Sequence, residues 1–285
     1  MSISLKFLAA PILLACCTSS MASEDQVVWA LPDWAGFSNF KDQQPVDGLI
    51  YETLHLITEQ LPQYRHGFLL GNVPRAFNDI EKGKPVCFGA ALATAERDRI
   101  GYFAEMMVLP PVHLVVRAEL AEKLRPQAPL SLRATINNPE LHGVVTKGRL
   151  YGAVLQPLLH DRPPSNLQLI HAPNLGTNLS VMVAYGRADY TLEYPLPSLL
   201  HAAGPSQLSS LALEETGPFA VIGVYCAKTP WGRQLTERFR QQVRQQAQQP
   251  QAMLAIYERW LPASQLPDFQ AHITAFIQRL AEQQP

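Results

Sequence analysis

The stretch that most constrains this chain is Lys84–Glu105, KPVCFGAALATAERDRIGYFAE. Its first half, Val86–Leu92, is a short apolar run with no 3.6-residue period, which suits a buried strand of an α/β sheet. The run ends in Ala93-Thr94-Ala95-Glu96-Arg97, where the chain must leave the sheet at the strand's carboxyl end. Open α/β sheets bind ligands along that edge. An Arg placed there can hold a carboxylate through two N–H donors, and a nearby Thr hydroxyl can add a third contact. Arg97 can equally be a solvated charge beside Glu96, Asp98 and Arg99, and these residues alone leave both readings open.

Flanking patterns make this strand one member of an alternation. Val27–Leu31 reads as an earlier strand, running into a loop that carries Trp34 and Phe37. Two such aromatics can wall a pocket or form ordinary core edge. Asp47 stands as an N-cap before Ile50, Leu54, Ile57 and Leu61, which recur at helical spacing until Pro62. Gly67–Leu70 is a second strand. Pro74 opens a short helix through Lys82, with Arg75 in its first turn and Gly83 at its close. The order β-α-β-α-β is that of a parallel, doubly wound sheet.

A further strand is expected over Val112–Val116, led into by Met106–Pro111, and a second alternation follows. Gly143–Thr146 is a strand, and Lys147-Gly148-Arg149 turns into a helix bearing Leu150, Val154, Leu155, Leu158 and Leu159. Leu167–His171 is a strand, Thr177–Tyr185 a helix closed by Gly186, and Ala188–Leu192 a strand ending in Glu193-Tyr194-Pro195. Phe219–Ala227 is one more apolar strand, followed by helices from near Pro230, over Gln251–Trp260 and over Asp268–Gln283.

Length and composition set the class. The 285 residues permit one large domain or two of ordinary size. The formal charge is -1, charged residues are 16%, and no basic stripe occurs, which argues against nucleic-acid binding. Lys6 and the apolar Phe7–Cys17 make the n- and h-regions of a signal peptide, since a bilayer span needs about 20 apolar residues. Ser20-Met21-Ala22 places cleavage after Ala22, so residues 1–22 leave the mature chain. Leu14-Ala15-Cys16 offers the alternative of a lipoprotein site with Cys16 lipidated. Either route predicts export to the periplasm. Of four cysteines, Cys87 and Cys226 lie outside the signal. They can form a disulfide in an exported protein, or serve as two small buried apolar side chains. No Cys or His spacing suggests a metal site, and no nucleophile-His or paired-carboxylate spacing suggests catalysis. No cofactor is expected.

Four ordered motifs carry a resemblance. They are Thr94-Ala95-Glu96-Arg97 with Gly101-Tyr102-Phe103-Ala104; Gly186-Arg187-Ala188-Asp189; Val221–Lys228 with Trp231-Gly232; and Ala255–Leu261. Together they resemble the signatures of the family 3 extracellular solute-binding proteins, in an atypical subgroup. That resemblance implies the periplasmic binding protein type II fold, α/β, with two lobes that are each a doubly wound sheet flanked by helices. Lobe 1 would comprise 24–112 plus 217–285 and lobe 2 would comprise 113–216. Hinges near Val112–Val115 and Gly217–Phe219 would close the lobes on ligand. The implied function is periplasmic binding of a small carboxylate-bearing or amino-acid-like ligand by a monomer that feeds a membrane permease or a sensor protein.

The resemblance also assigns residues. Arg97 takes the carboxylate, with Thr94 beside it. Gly148-Arg149-Leu150 would add backbone N–H groups at a helix N-terminus. Trp34 and Phe37 would stack on the ligand's apolar part, with Arg75, Arg149 and Tyr151 as further contacts. Glu193 and Tyr194 fall at the second-lobe edge of the cleft. No residue is expected to be catalytic.

Departures from the family pattern are specific. The Asp that binds an α-amino group in amino-acid receptors falls on Tyr194, and strand alternation would aim Glu193 at the opposite face. Arg149 replaces a small Ser or Thr, adding a second cation or a plug. Cys87 stands where the family has Asp. In the family's sheet the strands carrying Cys87 and Cys226 are neighbours, which makes a disulfide available. The Asp268–Gln283 helix extends past the family's usual end. Two alternatives follow: a ligand-less interaction or sensory module, and a dehydratase of cyclic carboxylic acids with Glu193 as the acid.

Overall fold

A computed structural model of the chain describes residues 26–160, 164–171, 177–196, 207–261 and 267–283. The expected signal peptide, 1–22, lies outside them.

Five strands form the first sheet: β1 (Gln26–Leu31), β4 (Arg65–Leu70), β5 (Val86–Leu92), β6 (Gly101–Leu109) and β12 (Ala220–Ala227), in the order β4-β1-β5-β12-β6. β1 is parallel to β4 and β5, whereas β12 runs antiparallel to both β5 and β6. The sheet is therefore mixed, because a strand from late in the chain is inserted beside β5. The second sheet comprises β7 (His113–Arg117), β8 (Gly143–Thr146), β9 (Leu167–Ile170), β10 (Tyr190–Glu193) and β11 (Leu208–Leu211), in the order β11-β7-β10-β8-β9. A small hairpin pairs β2 (Asn39–Lys41) with β3 (Gln44–Asp47).

The strand expected over Val112–Val116 is β7, and the segment leading into it, Met106–Pro111, supplies the end of a separate strand, β6. β6 stays in the first sheet until Leu109, and β7 begins the second sheet at His113. Pro110 and Pro111 stand between them. Neither can donate a ladder hydrogen bond, so the pairing stops there and the chain crosses to the other sheet. Just before the crossing, the Tyr257 hydroxyl accepts from the Val108 N–H (2.8 Å) and donates to the Val108 carbonyl (2.9 Å).

Helices cover the first sheet for reasons visible in their residues. α1 (Leu49–Thr58) buries Leu49, Ile50, Leu54 and Ile57. Its N-cap is Gly48 rather than Asp47, which instead accepts from Asn39 across the β2–β3 hairpin (2.6 Å). Gly48 sits at φ 123°, and a Cβ there would lie 2.5 Å from the Phe37 carbonyl carbon, so only glycine fits. α2 (Val73–Glu81) is capped by Asn72 and carries Pro74 in its first turn. α3 (Ala95–Ile100) is capped by Thr94. In the second lobe, α4 (Ala118–Leu124), α5 (Leu132–Asn137), α6 (Leu155–His160) and α7 (Thr177–Ala184) connect the strands. The last three helices are α8 (Pro230–Gln248), α9 (Gln251–Trp260) and α10 (Pro267–Glu282). α10 buries Phe269, Ile273, Phe276, Ile277 and Leu280, and it packs on α8 and β6. The helix that extends past the family's usual end thus caps the first sheet.

Cys87 on β5 and Cys226 on β12 stand opposite each other in the ladder and are joined by a disulfide, closing a loop of 139 residues. The chain that leaves the first sheet after β6, builds the second and returns as β12 lies wholly inside that loop. Removing the bond with Cys87→Ala and Cys226→Ala lowers stability by about 2–5 kcal/mol. A urea titration with and without reductant checks this; coincident midpoints would show that the bridge contributes nothing.

Candidate functional site

The carboxyl ends of β5, β8, β9 and β10 converge on a cleft between the two sheets. On the first-lobe side, β5 ends at Leu92 and Thr94 caps α3, its Oγ1 accepting from the Arg97 N–H (3.2 Å). That cap sets the turn, and the Arg97 side chain folds back over it. Nη1 donates to the Leu92 carbonyl (3.0 Å), and the guanidinium lies 4.0 Å from the centre of the Phe77 ring. Arg97 is half-buried, and burial lowers its pKa to about 10, so it stays charged at neutral pH. Its remaining N–H donors have no hydrogen-bond partner among the described residues. Arg97 lines a cavity of about 290 Å³, together with Trp34, Lys147, Arg149, His171 and Tyr194.

The opposite wall is a buried ion pair. Arg149 follows β8 and Glu193 ends β10, its parallel neighbour. Arg149 donates Nη1 to Glu193 Oε2 (2.6 Å) and Nη2 to Oε1 (2.7 Å), with side chains 5% and 0% exposed. Glu193 Oε1 also accepts from the Tyr194 N–H (2.8 Å). Trp34 and Tyr151 each lie 4.8 Å from the guanidinium carbon by ring centre, and Tyr194 lies 5.7 Å away. These rings form a three-sided aromatic box around an internal cation. Burial alone would lower the Arg149 pKa, but the Glu193 carboxylate outweighs it and the net direction is up. Burial pushes the Tyr194 phenol up to about 12 and raises Tyr151 as well.

Several expected contacts are placed differently. Glu193 is fully buried and lines neither cavity, whereas Tyr194 lines both. β10 stops at that residue, so no further ladder bond holds the alternation, and both oxygens turn to the Arg149 fork. Phe37 is fully buried behind Trp34 (4.2 Å between ring centres) and Tyr194 (5.4 Å), so it supports the box and offers no face to a ligand. Arg75 is exposed on α2 and borders a separate hollow with Leu69, Leu70 and Asp79. Tyr151 is buried, with its hydroxyl accepting from the Thr146 N–H (2.9 Å). The helix expected from Leu150 begins only at Leu155, because Gly148 (φ 79°) and Gly152 (φ 94°) keep the intervening segment irregular. No helix N-terminus is formed at Gly148–Leu150: the Arg149 N–H donates to the Thr146 carbonyl (3.4 Å), and Gly148 and Leu150 line the first cavity as irregular backbone.

The pattern did not single out Lys147 or His171, although each directly follows a strand, β8 and β9. Looking one residue past every strand end would have found both. A second cavity of about 640 Å³ adjoins the first along Leu92, Leu150 and Tyr194, and it carries Thr94, Val112, Tyr151, Phe219 and Val221. At the crossing, His113 stands opposite Glu193 in the β7–β10 ladder, with its Nδ1 buried and unbonded.

Arg149→Met leaves Glu193 as an unpaired buried charge and costs about 3–5 kcal/mol, most of it recovered in Arg149→Met/Glu193→Met. A double-mutant cycle by chemical denaturation checks the coupling, and additive losses would refute it. Burial also lowers the His113 pKa from 6.5 to about 4. The unfolded chain then takes up a proton before the folded one does, so stability falls as pH drops from 6.5 to about 4. His113→Leu flattens that limb in a pH series of melting temperatures.

No family model matches the chain, and a search of curated proteins finds no match either. Solved structures do match. A Streptococcus mutans structure described for glutathione import via GshT and the cystine importer TcyBC superposes with TM-score 0.65 at 14% identity, covering 83% of this chain and 95% of that one. A putative L-cystine ABC transporter protein of Listeria monocytogenes gives TM-score 0.63 at 14% identity, covering 85% and 98%. The VFT2 domain of Bordetella pertussis BvgS gives TM-score 0.61 at 19% identity, covering 84% and 95%. At such identities the likeness carries the architecture, and the chain has the two-lobed type II periplasmic binding protein fold.

Proposed function

We propose that this chain is an exported solute-binding protein that closes two lobes on a small carboxylate-bearing ligand, with Arg97 as the carboxylate's partner. One observation carries the reading: a half-buried, charged guanidinium at the carboxyl end of a central strand has unspent donors facing a cavity between the sheets. A planar fork of donors suits a carboxylate. The lobes would be 24–112 with 217–285, and 113–216, moving about Val112–Val115 and Gly217–Phe219. Export is supported by the apolar Phe7–Cys17 segment and the Cys87–Cys226 disulfide. Among the described residues no helix is long and apolar enough to cross a membrane. The protein would act as a monomer and hand its ligand to a membrane permease or signal its presence to a sensor. Similar structures include an amino-acid ABC transporter substrate-binding protein from Streptococcus pneumoniae bound to L-arginine.

A sensory or interaction module without a solute is the second reading. It is favoured by the Arg149–Glu193 pair, whose guanidinium engages Trp34 across the cleft. The dehydratase reading has less support, because the Glu193 carboxylate is paired with Arg149 and lines neither cavity.

Arg97→Ala should abolish the thermal shift produced by any carboxylate hit from a screen of amino acids and monocarboxylates, with little loss of unliganded stability. Arg97→Lys should weaken binding by roughly tenfold or more, since an ammonium cannot match the paired donors. Wild-type affinity in Arg97→Ala would overturn the assignment.

A further inference from the structure

We infer that the ligand is a carboxylate that lacks an α-ammonium group and carries an apolar body, running from Arg97 into the adjoining cavity. The inference rests on the Arg97 reading above and deepens it.

The charges of the first cavity argue against an α-amino acid zwitterion. Arg97 and Lys147 line the first cavity, and among the described residues neither makes a salt bridge to a carboxylate, although the neighbouring Glu96 favours the charge of Arg97. Among the described residues that line the first cavity there is no Asp or Glu; Glu193, behind its wall, is already neutralised by Arg149, and Glu215 lines only the second cavity. Glu193 accepts both Arg149 donors and the Tyr194 N–H. Glu215, on the second cavity, accepts from the Ser131 hydroxyl and the Leu132 and Arg133 N–H groups. The aromatic box, the other place where a cation could sit, is filled by Arg149 itself. An α-ammonium, one carbon from the carboxylate that Arg97 holds, would be desolvated in the first cavity beside Arg97 with no carboxylate among the described lining residues to balance it.

The walls indicate the rest of the ligand. The second cavity meets the first along Leu92, Leu150 and Tyr194, and Val112, Phe219 and Val221 continue its surface. Its polar side chains are largely engaged: Thr216 donates to the Leu213 carbonyl and Gln156 accepts from the Tyr151 N–H. Phe219 is 39% exposed there, large apolar surface that a ligand would cover. Combined, the two cavities lie in the size range of small-molecule sites, roughly 300–1,000 Å³.

The experiment is calorimetry on the mature protein with matched pairs: 3-phenylpropionate against L-phenylalanine, and hexanoate against L-norleucine, with acetate as the short reference and Arg97→Ala as control. The expected result is that each deaminated acid binds at least tenfold more tightly than its amino-acid partner. Hexanoate should also bind more tightly than acetate, and Arg97→Ala should bind none of them. An amino acid that equals or exceeds its deaminated partner would overturn this inference and leave the Arg97 reading standing. Affinity independent of chain length would overturn the apolar body. Binding that persists unchanged in Arg97→Ala, or no binding by any acid, would sink the Arg97 reading and this inference with it.

Discussion

The buried pair between Arg149 and Glu193 is the interaction on which the cleft depends. Taking two ions out of water costs several kcal/mol each, and the fork of two bonds at 2.6 and 2.7 Å recovers this only while both partners remain. The pair ties the loop after β8 to the end of β10. The Trp34 ring, delivered by the loop after β1, then closes over the guanidinium. One apolar cluster accordingly runs from the first sheet through Trp34, Phe37 and Tyr194 into the second. The lobes meet on a cation the protein carries itself.

The two cleft arginines show how neighbours decide what a side chain does. Arg149 has both terminal nitrogens committed to a carboxylate and three rings around it, so its charge is structural. Arg97 has one Nη1 bond to a carbonyl and one ring beneath it, and burial lowers its pKa without a paired anion. A cation held in that state gains most from an incoming anion. The same residue type therefore serves as filler on one wall and as an open donor on the other.

Crossing points organise the remainder. β12 returns to lie between β5 and β6, so the first sheet is completed by a strand that follows the whole second lobe in the chain. The Tyr257 hydroxyl's grip on Val108 acts where the chain leaves that sheet, and the Cys87–Cys226 bond ties β5 to β12 toward the other end of the strands. These ties hold the first sheet together across the long insertion.

Local patterns made much of this legible. The apolar run Val86–Leu92 is a strand, Thr94 is a cap, and Arg97 is placed at the sheet's carboxyl edge, because hydrophobic period and capping chemistry act over a few residues. The long final helices followed from their spacing in the same way. The hairpin at Asn39–Asp47 and the strands Gly101–Leu109 and Leu208–Leu211 were not legible. Their residues satisfy a sheet only through partners far away in the chain. What tertiary structure alone decided is the pairing of side chains 44 residues apart: that Glu193 turns to Arg149, that Phe37 is sealed behind Trp34, and that Arg75 points elsewhere. A sequence specifies which groups can form a fork or a ring contact. Which ones meet depends on where two sheets place the ends of their strands.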